Sequence, residues 1–147
     1  MKLSMPPLIE NFRPDLSKAI ESMPCARLLD LSVIGFGKGV SAIEMIVRTD
    51  LTFDGRTVQG GIVGTLADFA AVSAATANCA DGWTSSTTGF QVYNVSPARG
   101  ERLIALGRVV KGGRSQAVAA ADVYVISGDN GELVATALAS CKLRAPA

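Results

Sequence analysis

The spacing of apolar and polar positions predicts a short helical segment, two strands and one long helix in the first half of the chain. An amphipathic helix is predicted over Pro14–Leu29, with a break at Pro24. Strands are predicted at Leu31–Phe36 and Val40–Arg48. The longest helix is predicted over Gly61–Asn78. Because it is apolar nearly all round, we expect it to be covered on most sides.

The second half of the chain is rich in Val, Ile, Thr and Tyr and predicts four more strands. These are Ser86–Val95, Arg102–Lys111, Ser115–Ile126 and Glu132–Leu143. The short turns between them predict an antiparallel meander. One long apolar helix and a curled antiparallel sheet of about six strands indicate an α+β fold in which the sheet wraps the helix.

Length and charge narrow the classes of protein to consider. The 147 residues fit a single domain, with residues 1–22 as an N-terminal extension that contains the first helix. The formal net charge is +1 and no basic run is present, so nucleic acid is not an expected partner. We find no signal peptide and no apolar stretch that predicts a membrane span, so we expect a cytoplasmic protein without a membrane partner.

The chain contains no histidine. This excludes Ser-His-Asp and Cys-His nucleophile systems and removes most zinc sites. Cys25, Cys79 and Cys141 show neither zinc spacing nor a disulfide framework, so we expect buried reduced thiols. Any catalysis must therefore use carboxylates, Lys, Tyr, hydroxyls or backbone dipoles, and we expect no metal and no cofactor.

Asp68 is the single charged residue of the long predicted helix. At 100° per residue it shares one stripe with Thr65, Val72 and Thr76, opposite a bulky apolar face. A carboxylate in such surroundings is costly unless it is paired or functional. Two interpretations remain open, which are a hydrogen-bonded interface residue and a catalytic carboxylate.

Gln59-Gly60-Gly61 stands at the start of the same helix. The free N–H groups of a first helical turn can form an oxyanion hole, although a plain glycine-rich helix start has the same sequence. Asp68 lies seven residues beyond Gly61, about 10 Å along the axis, so one substrate carbonyl carbon cannot contact both in one chain. Two antiparallel helices across a two-fold axis would join them, which predicts a homodimer with shared sites. The helix also carries small residues that would allow a second helix to approach closely: Gly61, Gly64, Thr65 and Ala75.

Four segments, in this order, carry a family resemblance: Met23–Leu29, Gln59-Gly60-Gly61 with Asp68, Ser96–Glu101 and Arg108–Ser115. Together they resemble hotdog-fold acyl-CoA thioesterases of the phenylacetate-degradation type, in the 4-hydroxybenzoyl-CoA thioesterase superfamily, and the likeness covers about Pro24 to Leu143. The second segment is similar to their His-Gly-Gly motif with its downstream acid. The resemblance implies a hotdog fold and a dimer or a dimer of dimers.

The resemblance also implies roles for individual residues. Asp68 would be nucleophile or general base, and the Gly60 N–H would polarise the thioester carbonyl from the neighbouring subunit. Gln59 stands where the motif has His, and its amide can still form a hydrogen bond near the carbonyl. Thr87 would help to hold the attacking water. Gly61 would be a further substrate contact. The turn residues Lys111, Gly112, Arg114 and Ser115 would contact the substrate near the phosphopantetheine arm or its phosphates.

We therefore expect a hydrolase of acyl-CoA or acyl-carrier thioesters. The main alternative is a non-catalytic acyl-CoA-binding module of the same fold, since the motif His is absent and Thr52 or Phe53 stands where a polar Asn or Gln is expected. A hotdog dehydratase would need the missing His, and an interaction protein outside this fold is the last alternative. The sequence leaves open the acyl group and the choice between an anhydride intermediate and direct hydrolysis.

Overall fold

The computed structural model describes all residues 1–147 and contains three α-helices, one short 3₁₀ helix (Thr49–Leu51) and six strands. Each α-helix and strand corresponds to a predicted one, and the ends differ by no more than two residues. The helices are α1 (Pro14–Glu21), α2 (Pro24–Leu28) and α3 (Gly60–Ala77). The strands are β1 (Ser32–Gly37), β2 (Val40–Ile46), β3 (Thr84–Asn94), β4 (Arg102–Gly112), β5 (Gln116–Ser127) and β6 (Asn130–Arg144).

The six strands form one antiparallel sheet in the order β1-β2-β4-β5-β6-β3. The prediction of a four-strand meander is correct for β4, β5 and β6 and wrong for β3, which pairs with β6 at the far edge. The segment after β3 is not a hairpin turn but crosses the ends of two strands. Val95 N–H donates to the Val134 carbonyl at 2.8 Å, and Glu101 N–H donates to the Ile126 carbonyl at 3.0 Å.

The sheet curls around α3, which packs against all six strands. By length and composition alone α3 could cross a membrane, but here it is the core helix, and its apolar surface is covered by the sheet. The prediction that this helix is covered on most sides is thus confirmed. Many contacts in this core come from small side chains, which let the sheet approach the helix closely. The buried alanines include Ala67, Ala70, Ala71, Ala119, Ala121, Ala135, Ala137 and Ala139.

The start and the end of β3 both turn a polar side chain towards α3. Thr87 pairs with Cys141 and Asn94 pairs with Ala135, and both partners are buried residues of β6. Thr87 and Asn94 are an odd number of residues apart, which in a regular strand would put them on opposite faces. The register shift between Thr87 and Gly89 restores the same face for both.

Two sequence expectations about surfaces are corrected. The small residues of α3 do not form an open stripe for a second helix, because Ala75 is buried and a Cβ on Gly64 would lie 3.4 Å from Val92 of the same chain's β3. Of the three thiols, which form no disulfide, only that of Cys141 is buried, and Cys25 is exposed.

Gly107 of β4 provides a stability test of the close packing between the sheet and α3. A Cβ at Gly107 would overlap the backbone carbonyl of Ala70, which also accepts a hydrogen bond from Ser41 Oγ at 2.6 Å. We expect Gly107→Ala to lower the free energy of unfolding by about 2 kcal/mol or more in a denaturant titration, since overpacking forces backbone shifts. In the control Gly35→Ala, the added methyl would lie 3.4 Å from the flexible side chain of Leu8, and the change should stay below about 1 kcal/mol. Equal stabilities of the two variants would contradict this account of the packing.

Candidate active site

Asp68 lies halfway along α3, where its carboxylate meets the start of β3. Thr87 Oγ1 donates a hydrogen bond to Asp68 Oδ1 at 2.9 Å. Burial of the carboxylate raises the pKa of Asp68, and the hydrogen bond from Thr87 opposes only part of that rise. The carboxylate therefore holds a proton more readily than an ordinary aspartate and is a stronger base when ionised.

A cavity of about 460 Å³ opens beside Asp68, between α1, α3 and the start of β3. Its volume falls in the range of small-molecule sites. Its polar lining includes the hydroxyl residues Thr87, Ser85 and Thr76. Its apolar lining is formed by Leu16, Ala19, Ile20, Met23, Phe69, Val72 and Trp83.

Arg13, the N-cap residue of α1, connects α1 to the end of α3 and forms part of the lining of this cavity. Its side chain is buried, and its Nη1 donates to the carbonyls of Thr76 at 2.9 Å and Cys79 at 3.0 Å. Its Nε and Nη2 donate to the two oxygens of the Asp15 carboxylate at 2.9 and 3.0 Å. A cation at a helix C-terminus complements the helix dipole, so this arrangement holds α1 over the cavity. Arg13 was not predicted from the sequence, because its partners at and just beyond the end of α3 are more than sixty residues away.

The N-terminal end of α3 is the second polar region. Gln59 is the N-cap, and its Oε1 accepts a hydrogen bond from the N–H of Ile62 at 3.1 Å. A Cβ on Gly61 would lie 2.8 Å from that oxygen, so a larger residue at this position would displace the Gln59 carboxamide. The N–H groups of Gly60 and Gly61 find no acceptor within the chain. A cavity of about 420 Å³ borders Gly60 and includes Asn94 of β3 in its lining.

The chain thus contains two polar regions that it does not bring together. Gly60 and Asp68 are eight residues apart on one helix, about 12 Å along its axis. The implied substrate contacts Lys111, Gly112, Arg114 and Ser115 are exposed around the β4–β5 turn and line neither cavity. Gly112 lies beside Asn78, just beyond the C-terminal end of α3. Within one chain, therefore, Asp68 contacts Thr87, and Gln59 lies beside Gly60 and Gly61. The residues of the β4–β5 turn lie apart from both of these groups.

The contact between Thr87 and Asp68 can be tested by titration. Thr87→Val removes the hydroxyl that stabilises the carboxylate, so the pKa of Asp68 should rise further above the ordinary value of 3.8. Thr87→Ser keeps a hydroxyl and should leave the pKa near that of the wild type. The measurement is an NMR titration of the Asp68 side-chain carboxyl carbon. Identical titration curves for the valine and serine variants would show that the hydrogen bond does not act on this carboxylate.

Several solved structures are similar to this chain. A thioesterase family protein from Silicibacter pomeroyi is 26% identical, with a TM-score of 0.84 over 90% of this chain and 98% of that protein. A protein of the thioesterase superfamily is 28% identical, with a TM-score of 0.79 over 92% of this chain and 100% of that one. The PaaI protein from the phenylacetic acid degradation operon of E. coli shares the fold at 18% identity, with a TM-score of 0.75 over 91% of this chain and 97% of its own. No protein-family model and no curated protein matches the chain. The resemblance noted in the sequence is nevertheless confirmed at the level of structure, since this chain has the hotdog fold and is similar to thioesterases of that fold.

Proposed function

We propose that this protein hydrolyses acyl thioesters, with Asp68 as the catalytic carboxylate. The solved thioesterases of similar structure support an acyl thioester hydrolase at the level of the family. The observation that carries the specific proposal is the position of Asp68, which meets the Thr87 hydroxyl at the mouth of an apolar cavity. A lone carboxylate in an apolar helix is costly, and a functional role explains why it is there.

The chemistry follows from the groups at the two polar regions. The Asp68 carboxylate either takes a proton from a water held with Thr87 or attacks the carbonyl carbon itself. As the new C–O bond forms, the carbonyl electron pair moves to oxygen, and the free N–H groups of Gly60 and Gly61 can stabilise that charge. The C–S bond then breaks, and in the water route the departing thiolate takes the proton that Asp68 has accepted. In the direct-attack route the thiolate leaves a mixed anhydride on Asp68, and a water then hydrolyses this anhydride, which releases the acid, frees the Asp68 carboxylate and supplies the proton that converts the thiolate to a thiol.

The size and the apolar lining of the cavity beside Asp68 favour a substrate whose acyl group is apolar and of medium length, or aromatic. An acetyl group would leave most of the 460 Å³ and most of the apolar wall unused. Apolar contacts along the wall would therefore favour octanoyl or benzoyl over acetyl thioesters. Arg13 already bonds to Asp15 and two carbonyls and lies 3.4 Å from the Asp81 carboxylate, so we do not expect a carboxylate on the acyl group to bind there.

The edge strand β3 supports assembly into a homodimer. Its 11 residues have no partner on their outer side, and Phe90 and Tyr93 on it are 42% and 59% exposed. A long edge with exposed aromatic residues is a template for pairing with another chain. Antiparallel pairing with a second β3 would bring Thr87 beside the partner's Asn94, and thereby Asp68 beside the partner's Gly60. We propose a cytoplasmic dimer of this kind, alone or paired into a tetramer.

The β4–β5 turn would then bind the coenzyme part of the substrate. Gln116 of β5, Lys142 of β6 and Ser86 of β3 lie in one row across the sheet, so the turn is two strands from the residue next to Thr87. Two strand spacings are about 10 Å, a distance that an extended coenzyme arm can span. Lys111 and Arg114 are exposed cations there and would bind the phosphates of CoA.

The catalytic role is tested by Asp68→Asn in an assay with acetyl-, octanoyl- and benzoyl-CoA. We expect kcat to fall by about 10²-fold or more with little change in KM, because the lost group acts on the chemical step. Asp129→Asn, at an exposed turn position between β5 and β6, is the matched control and should keep wild-type kinetics. Full kcat in Asp68→Asn would remove Asp68 from the mechanism. Tight binding of acyl-CoA by a wild type without turnover would instead favour the non-catalytic binding module.

A further inference from the structure

The Gly60 end of the candidate site has few hydrogen-bond donors of its own. An oxyanion is best stabilised by two or more donors aimed at the position of the oxygen. The carboxamide oxygen of Gln59 is engaged by the N–H of Ile62 in capping α3. The backbone N–H groups of Gly60 and Gly61 are successive donors of one helical turn. A side chain that contacts Gly60 from outside the helix would add a donor from a second direction.

Asn94 is that side chain. It is the last residue of β3, and its pairing with the buried Ala135 directs it towards α3. An added Cβ on Gly60 would lie 3.1 Å from Asn94 Nδ2, and the three atoms nearest that position all belong to the Asn94 carboxamide. The carboxamide forms no hydrogen bond within the chain and lines the cavity that borders Gly60. Its N–H is therefore free to donate to a bound group.

We propose that Asn94 is a catalytic residue whose carboxamide N–H donates to the thioester carbonyl oxygen together with the Gly60 N–H. This inference rests on the proposed thioester hydrolysis. The hydrogen bond from the Asn94 N–H would strengthen as negative charge develops on the carbonyl oxygen. Loss of this bond would therefore affect kcat more than KM. It also ties both halves of the site to one strand, since Thr87 at the start of β3 holds Asp68 and Asn94 at its end contacts Gly60.

The test compares Asn94→Ala with Asn94→Asp in the full-length protein, on whichever of acetyl-, octanoyl- and benzoyl-CoA the wild type hydrolyses fastest. Asn94→Ala should lower kcat by about 10²-fold and leave KM within a factor of about three, as expected for loss of one oxyanion donor. The residue is exposed, so truncation leaves no buried hole. Glu132→Ala, at an exposed position of β6 outside the β3 edge, should keep the wild-type kcat.

The Asn94→Asp variant gives a measurement that would not change with pH if Asn94 had only a structural role. An ionised carboxylate beside the oxyanion repels it, so Asn94→Asp should be slower than Asn94→Ala at pH 8. As the pH falls, that carboxyl takes up a proton and becomes a donor, so the ratio of the two rates should rise. Both variants keep Asp68, so taking the ratio reduces the pH dependence that Asp68 gives to each rate.

The possible outcomes separate this inference from the proposed function. Wild-type kcat in Asn94→Ala, or a ratio that does not change with pH, would overturn the role of Asn94 while Asp68→Asn remained inactive. Absence of turnover in the wild type on all three substrates would overturn the proposed hydrolysis and this inference with it.

Discussion

The contact between the edge strand β3 and the core helix α3 determines where each polar group of the candidate site lies. The inner face of β3 places Thr87 on Asp68, Phe90 and Val92 over Gly64, and Asn94 against Gly60. The register shift after Thr87 is what allows the first and last of these contacts to share one face. Because β3 is also an edge strand of the sheet, the strand that organises the site is available for pairing with a second chain.

Burial of the ionised Asp68 carboxylate is unfavourable for folding, and the stability of the rest of the fold offsets it. Its burial raises its pKa, so the ionised carboxylate is less favourable in the folded chain than in water. The large alanine-rich core around α3 can offset such a local penalty. Arg13 contributes in another way, because its bonds to the end of α3 fix α1 as a wall of the cavity without placing a free charge inside it.

Local pattern predicted most of the fold, and non-local pairing was the part that it missed. The helices and strands follow from periodicity, and Asp68 stood out because a lone charge in an apolar helix is visible in the sequence. The position of β3 beside β6 could not be predicted, since the segment Ser96–Glu101 has the composition of an ordinary turn. Asn94 was missed because its inward direction depends on a strand bulge, and propensity does not locate bulges.

The central claim, one site built from two chains, is tested most directly by mixing subunits. Asp68→Asn is combined with Gly60→Pro, which removes the Gly60 N–H at the first helical position, where proline is well tolerated. If each site takes Gly60 from one chain and Asp68 from the other, a mixed dimer has one site with both lesions and one intact site. Co-refolding the two inactive variants should then restore about half of wild-type activity per mixed dimer. Mixed dimers that form without recovering activity would show that each site lies within one chain.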